Sequence, residues 1–294
     1  MVLERGISFV DATTSTRSEK PRVWISAGLA APPSPSTLSC HHPRHALRYE
    51  DNAVVAREPW VLPSASELDT IVNGVSAAPG CCVAVLSLSS DLYDEFDAAR
   101  SRAEMVSDWD EVNRYVSGQP LQRAIECAAE HAESGSSQIW QMGIRVNPPG
   151  LPNVTVDNKT GRLVGLHCDN WFGAQMKARD GSPNRIAMNL GDGDRYFTYI
   201  NLPLSRIWQL GNDATDLSVA RLTGDLLVRF VERMPAYPVV RLRISPGEAY
   251  IAPTDNIIHD GSTQAGYEWD IYFTVVGRFR IPMQRPGQAV GETC

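Results

Sequence analysis

His167 and Asp169 are two polar residues of the kind that can bind a metal ion, and they follow an apolar run. The run that includes Leu163, Val164 and Leu166 predicts a short strand before them. Because side chains two positions apart on a strand point to the same side, the imidazole and the carboxylate can converge on one point. They would supply two of the three protein ligands of the 2-His-1-carboxylate arrangement, which binds non-haem Fe(II). A strand end with polar residues is the competing interpretation.

His259 offers the third ligand. A Pro-Gly turn at 246–247 leads into a predicted strand that Pro253 ends, and the sequence Ile-Ile-His at 257–259 predicts another strand. Taken alone, His259 would be interpreted as an ordinary half-buried histidine. Because both histidines close short apolar strands, a β-barrel could bring His167, Asp169 and His259 together.

The spacing Gly-x5-His-x-Asp that ends at Asp169, followed by Gly-x5-Pro-x5-His ending at His259, resembles the two metal-binding motifs of the cupin superfamily. Simple cupins usually have His-x-His and then a Glu. Asp169 at the second position is more similar to the Fe(II)/2-oxoglutarate-dependent dioxygenases. The resemblance covers residues 138–282. It implies a mostly β fold with flanking helices, namely a double-stranded β-helix (a jelly-roll or cupin-like barrel).

The resemblance also implies a chemistry for these residues. His167, Asp169 and His259 would bind Fe(II), and 2-oxoglutarate and O2 would be co-substrates, with release of succinate and CO2. The implied reaction is hydroxylation of a small molecule, such as an amino acid or a biosynthetic intermediate. Desaturation or cyclisation is an alternative outcome. Halogenating members have Gly or Ala at the position of Asp169. In this chain Asp169 would occupy the place where a halide binds, so halogenation is not implied.

The far carboxylate of 2-oxoglutarate requires a buried cation, usually Arg because its guanidinium binds a carboxylate through two hydrogen bonds. The family usually places this Arg on the strand after the distal histidine, and we therefore predict Arg278, with Thr274 on the same face as a supporting hydroxyl. Arg278 lies nineteen residues past His259, which is farther than is usual in the family. Arg185 on an earlier strand is the second candidate. A solvated strand-end charge is the competing interpretation of Arg278.

Two residues beside the predicted ligands are candidates for the substrate site. Trp171 follows the His-x-Asp pair and is predicted to form a wall of the pocket, although core packing explains it equally well. Asn170 is predicted to bind substrate or to orient the metal ligands.

Half of the six histidines, His41, His42 and His45, lie in a short run with Cys40. A structural zinc site needs four ligands, and no second ligand pair at a plausible distance completes this set. An exposed polar loop, or a wall of the substrate entrance, is therefore the favoured interpretation.

The predicted elements form one domain over residues 1–294. It consists of an irregular segment at 1–60, helical support at 61–135 and a β-barrel core at 138–282. Ser64 and Glu67 have the spacing of a helix capping box, and further helices are predicted at 91–116, 119–133 and 213–233. The predicted strands are 81–88, 139–146, 163–167, 185–190, 196–202, 239–244, 249–252, 256–259 and 268–280.

Composition excludes several classes of partner. The net charge is −7 without a basic run, which argues against nucleic acid and suits a small-molecule substrate. No segment approaches the roughly 18 apolar residues that a membrane span requires. The absence of a signal-peptide pattern and of any Cys-x-x-Cys pair predicts a cytoplasmic protein with reduced thiols.

Two other functions stay open at the level of sequence. A cupin-type metalloenzyme that does not use 2-oxoglutarate would lack a buried Arg facing the metal. A non-catalytic cupin-fold binding protein would not hold iron at all.

Overall fold

The computed structural model describes residues 3–14, 20–32, 48–74, 78–103, 119–134, 138–217, 220 and 225–282. Within these ranges most regular structure is β. The strands are β1 (Ser8–Ala12), β2 (Val23–Ser26), β3 (Leu29–Ala30), β4 (Tyr49–Ala56), β5 (Trp60–Val61), β6 (Cys82–Ser87), β7 (Trp140–Asn147), β8 (Leu163–Gly165), β9 (Asn184–Asn189), β10 (Arg195–Tyr199), β11 (Val240–Ile244), β12 (Glu248–Ala252), β13 (His259–Ser262) and β14 (Asp270–Gly277).

The α-helices of the described ranges are short. They are α1 (Ala65–Val72), α2 (Ser90–Asp94), α3 (Asp97–Ala103), α4 (Gln119–Glu130), α5 (Leu204–Asn212) and α6 (Leu226–Arg233). Ser64 caps α1 in the predicted capping box, in which Glu67 bonds back to the Ser64 backbone. Among the described helices, none has both the length and the apolar character needed to cross a membrane.

Two sheets carry most of the strands. The larger sheet has six strands in the order β1-β6-β12-β9-β14-β7, and the smaller has five in the order β13-β10-β11-β2-β5. From β7 onward the antiparallel pairs are nested: β7 pairs with β14, β9 with β12 and β10 with β11. A bridge between His167 and His259 joins the segment after β8 to β13. A three-stranded sheet, β3-β4-β8, completes the β structure of the described ranges.

The main hydrophobic core lies between the two large sheets. Phe197 of β10 stacks on Tyr250 of β12, with ring centroids 4.4 Å apart. On β9 the alternation of side chains separates two clusters, because Ala187 belongs to this core while Ile186 and Met188 face the other side. That outer face packs against α2, α3 and α4, as we expected of helices that support a barrel.

The prediction of an irregular segment over 1–60 was wrong, since β1 to β4 lie within it and β5 begins at its last residue. β1 pairs with β6 in the larger sheet, and β2 pairs with β11 in the smaller one. These strands have only five and four residues, with polar residues around them, and they are stabilised by their neighbours in the sheet rather than by a long apolar pattern.

Three other predicted elements were also misplaced. The strand predicted at 256–259 begins only at His259, because the Asn256 side chain donates to the carbonyl oxygen of Gly80 and to Asp180, which holds the preceding residues in a turn. The helix predicted at 91–116 is two short helices as far as residue 103, and 104–118 lie outside the described residues. α5 was not predicted, and α6 covers the end of the predicted helix 213–233.

Candidate metal centre

The backbone brings His167 and His259 side by side. The His167 N–H donates to the carbonyl oxygen of His259 at 3.0 Å, and the His259 N–H donates to that of His167 at 2.7 Å. The centroids of the two rings are 4.7 Å apart. The Asp169 N–H donates to the carbonyl oxygen of Thr254 at 3.0 Å, which fixes the third predicted ligand beside them.

The side chains of this triad converge on one point. Nε2 of His167 lies 3.8 Å from Asp169 Oδ1, and Nε2 of His259 lies 3.8 Å from Asp169 Oδ2. The possible ligand atoms of the three residues all lie within 4.8 Å of one another, and no other such group occurs among the residues that the structure describes.

Each imidazole is oriented by its own chain. Nδ1 of His167 lies 2.9 Å from the carbonyl oxygen of Gly165, and Nδ1 of His259 lies 3.3 Å from that of Ile257. Since a carbonyl oxygen only accepts hydrogen bonds, Nδ1 carries the proton in both rings and each Nε2 presents a lone pair. This is the tautomer that a metal-binding histidine requires.

The electrostatics of the triad also fit a metal. Burial lowers the pKa of His259 to about 3, so its imidazole is neutral at neutral pH. Burial raises the pKa of Asp169, but lowering interactions, the largest of them with the charge of Arg185, outweigh burial and bring the pKa to about 2. His259 Nε2 is buried and has no hydrogen-bond partner within the described ranges. The neutral imidazole of His259 with its unpartnered lone pair and the ionised carboxylate of Asp169 are what a divalent cation requires, and a donor set of two imidazoles and one carboxylate suits Fe(II).

Gly165 allows the chain to turn into the triad. Its φ is +73°, and a Cβ atom at this position would lie 2.6 Å from the carbonyl oxygen of Val54. We expect Gly165→Ala to destabilise the protein by more than the ~1–2 kcal/mol that left-handed backbone alone costs an alanine. Urea unfolding measures the change. The control is Gly173→Ala, where φ is +59° and nothing lies within 4 Å of the added Cβ. Equal losses in the two variants would contradict the steric role of Gly165.

The loop after Asp169 is held by a buried arginine. Arg179 is 1% exposed; it donates to Asn170 Oδ1 at 2.7 Å and to the carbonyl oxygen of Asp255. The Asp255 carboxylate accepts the backbone N–H of Trp171 at 3.3 Å. Asn170 therefore has a structural partner, while its predicted role at the substrate site stays a prediction.

Trp171 lies directly beside the metal ligands. Its side chain helps to lower the pKa of Asp169, and half of its surface is exposed. Phe172 is also exposed and contacts the ring of Trp140 at 4.9 Å between centroids. Core packing therefore does not explain Trp171, and its position is compatible with the predicted wall of a substrate pocket.

Of the two predicted arginines, Arg185 lies at the triad. Its Nη2 donates to Asp169 Oδ2 at 2.5 Å, and its side chain is 16% exposed. Arg278 is exposed, and its carbonyl oxygen accepts the backbone N–H of Glu133. β14 ends at Gly277, with Val276 opposite Arg185, so Arg278 lies beyond the inward face of the sheet. The structure therefore contradicts Arg278 as the buried cation. Thr274 is buried, as that prediction required.

Another arginine, Arg195, is buried and was not predicted from the sequence. It is 2% exposed, its guanidinium carbon lies 3.8 Å from the centroid of the Tyr272 ring, and its Nη1 lies 3.7 Å from Asp270 Oδ1. The polar run 191–194 before it is typical of a surface loop, so the sequence did not indicate that β10 begins at Arg195. The signal was the alternation of Arg195 with Phe197 and Tyr199, which places all three on one face.

Polar atoms around Arg195 are buried without hydrogen-bond partners. Such an atom costs about 1–3 kcal/mol when nothing compensates it, so a group of them indicates a site for a polar ligand. Within the part of the chain that the structure describes, they are Nε and Nη1 of Arg195, Oδ1 of Asp270 and Oγ1 of Thr274.

Arg195 lies beside β13, the strand that begins at His259. A Cβ atom on Gly261 would be 3.1 Å from Arg195 Nη2. Gly261 lies two residues after His259 on β13 and faces the same side, which is roughly 7 Å along the strand. The triad and the Arg195 guanidinium thus approach the same strand at positions two residues apart.

No family model and no curated protein matches this chain. Among solved structures, the chain is similar to the Kdo hydroxylase KdoO, described as a non-heme Fe(II) alphaketoglutarate dependent dioxygenase, in its complex with succinate and Fe(III). The TM-score is 0.36 and the identity 13%, over 68% of this chain and 80% of that one. The apo structure of KdoO gives a TM-score of 0.35 and 12% identity, over 68% and 81%. The side-chain geometry of the triad, and not this likeness, supports the function of the site.

The histidine run at 41–45 lies outside the described residues.

The four cysteines within the described residues are free thiols, namely Cys81, Cys82, Cys127 and Cys168. Burial raises the pKa of Cys168, which lies between two metal ligands, so this thiol stays protonated and does not compete for the metal.

Proposed function

We propose that this chain is a non-haem Fe(II)/2-oxoglutarate-dependent oxygenase that hydroxylates a small molecule and releases succinate and CO2. The observation that carries the proposal is the convergence of His167, Asp169 and His259, with the buried Nε2 of His259 left without a hydrogen bond inside the described ranges. Three protein ligands leave other positions of the metal open for co-substrate and O2.

The barrel that we propose for this site is a double-stranded β-helix within a single domain. Four nested pairs support it: β7 with β14, β8 with β13 through the histidine bridge, β9 with β12, and β10 with β11. Eight strands paired in this order, first with last and then inward, have the winding of a jelly roll. Such a barrel places both histidines at the same end.

We assign the far carboxylate of 2-oxoglutarate to Arg195, with Arg185 as the alternative. Arg195 is buried, has nitrogen atoms without hydrogen bonds within the described ranges, and reaches Gly261, which lies two residues, or roughly 7 Å along the strand, from His259. A five-carbon diacid bound to the metal at one end is long enough to bridge such a span. The Thr274 hydroxyl is a further donor. Arg185 is the second choice because its Nη2 already donates to Asp169 Oδ2.

When bound, the iron and 2-oxoglutarate supply the oxidising power that inserts one atom of O2 into a C–H bond. Two ion pairs of the protein set the charge of the site. Arg185 is paired with Asp169 and Arg195 with Asp270, so these side chains are balanced before the metal binds. The two positive charges of Fe(II) then attract a dicarboxylate. Trp171, exposed beside Asp169, would form a wall that positions the small-molecule substrate over the metal.

Succinate release tests the proposal. Protein loaded with Fe(II) is incubated in air with 2-oxoglutarate, and succinate is quantified, since such enzymes also turn over slowly without substrate. We expect succinate from the wild type and from Arg278→Ala, and none above background from His259→Ala. Bound iron without succinate formation would favour a cupin-type metalloenzyme, and failure to bind iron would favour a binding protein.

A further inference from the structure

Arg185 has an unusual partner for a buried arginine, because the carboxylate it contacts belongs to the metal triad. Its Nη2 lies 2.5 Å from Asp169 Oδ2. The residue belongs to β9, opposite Ala252 of β12 on one side and Val276 of β14 on the other. Strands on both sides therefore fix the backbone from which this guanidinium reaches the metal ligand.

A second side chain lies close to the guanidinium. The Tyr250 hydroxyl helps to raise the pKa of Arg185, and Tyr250 itself packs against Phe197 in the core. The Asp169 backbone is held by its N–H bond to the carbonyl oxygen of Thr254. Both members of the ion pair are thus held in place, and the charge-assisted hydrogen bond between them is strong because little water reaches it.

We propose that Arg185 is a positioning residue that engages Oδ2 of Asp169, so that the carboxylate binds the metal through Oδ1 alone. The inference rests on the metal of the proposed function but not on 2-oxoglutarate. The consequence of this hydrogen bond is that Asp169 occupies one coordination position of the metal and not two. A carboxylate bound through two oxygens would occupy a position that the co-substrate or O2 needs, and the Arg185 hydrogen bond keeps that position open.

Removing Arg185 should then change how Asp169 binds the metal without lowering the affinity of the protein for the metal. In Arg185→Met the freed Oδ2 can also reach the cation. Loss of an ordinary outer partner costs about 10–100-fold in metal affinity. Here we expect no such loss of affinity for Zn(II), which serves as a redox-inert substitute for Fe(II). The reason is that the additional bond from Oδ2 to the metal compensates for the loss of the hydrogen bond that orients the carboxylate.

Difference infrared spectroscopy measures the binding mode. Protein labelled with 13C at aspartate carboxylates is recorded with and without Zn(II), so that the difference reports the aspartate that binds the metal. The antisymmetric and symmetric carboxylate stretches are widely separated for one-oxygen binding and closer together for two-oxygen binding. We expect a wide separation in the wild type, a narrow one in Arg185→Met, and a wide one in Arg185→Lys, which retains a charged donor. Arg278→Met is the matched control at an exposed position.

A wide separation that persists in Arg185→Met would overturn the role of Arg185, and so would a narrow separation in the wild type. A metal affinity that falls in both Arg185→Met and Arg185→Lys while the separation stays wide would mean a merely structural role. None of these results touches the proposed function, whose failure would be recognised separately as wild-type protein that binds metal but forms no succinate.

Discussion

Replacement of Asp169 by asparagine is expected to lower the affinity for Fe(II) by at least about 100-fold, the upper end of what loss of an outer partner costs. The reason is that Asp169 supplies the negative charge of the triad, with a pKa lowered to about 2, and an amide oxygen does not replace a carboxylate on a divalent cation. Anaerobic equilibrium dialysis against Fe(II) measures the change.

The substitution leaves Arg185 without its buried counter-charge, which alone can destabilise a protein by about 3–5 kcal/mol. His259→Ala provides a second variant without this complication, since burial keeps that imidazole neutral. Asp94→Ala removes an exposed aspartate and is the control for charge. Iron affinity unchanged in folded Asp169→Asn and in His259→Ala would show that the metal binds elsewhere.

Replacement of Arg195 is expected to abolish 2-oxoglutarate binding while iron binding persists. A buried charge pair with a ligand carboxylate typically contributes about 2–5 kcal/mol, which corresponds to roughly 30-fold to several thousand-fold in affinity. Because Arg195 Nη1 lies 3.7 Å from Asp270 Oδ1, the variant of choice combines Arg195→Met with Asp270→Asn, so that no buried charge is left alone. Calorimetric titration of the metal-loaded protein with 2-oxoglutarate gives the affinity.

Two comparisons make this result specific. Arg278→Met is the same substitution at an exposed arginine and should leave 2-oxoglutarate binding unchanged. Asp270→Asn alone retains the guanidinium and should still bind the co-substrate. If the double variant bound 2-oxoglutarate as tightly as the wild type, Arg195 would not be the cation, and Arg185 would take its place as the candidate.

The metal triad could be predicted from the sequence because its signal is local. Two residues at a spacing of two, each next to a short apolar strand, identify His167 and Asp169, and a turn-strand-turn pattern identifies His259. The strands of the core were found for the same reason, since alternation and Gly/Pro punctuation are visible in short windows. These features depend little on distant parts of the chain.

The cation could not be found in the same way, because its burial depends on strand ends and pairing. Arg278 has the correct alternation with Thr274 but lies beyond the last residue of β14. Arg195 follows a polar run and becomes buried only because Tyr272, from a strand far away in sequence, covers its guanidinium. The short strands β1 and β2 were missed because their stability comes from pairing partners that the local pattern does not reveal.

The measurement that tests the central claim most directly is an anaerobic titration of Fe(II)-loaded protein with 2-oxoglutarate, followed in the visible range. We expect a weak charge-transfer band that saturates at one equivalent, because His167, Asp169 and His259 leave room for the chelate. The band should be absent in His259→Ala and unchanged in Arg278→Met. Wild-type protein that binds iron but develops no band on saturation with 2-oxoglutarate would contradict the account.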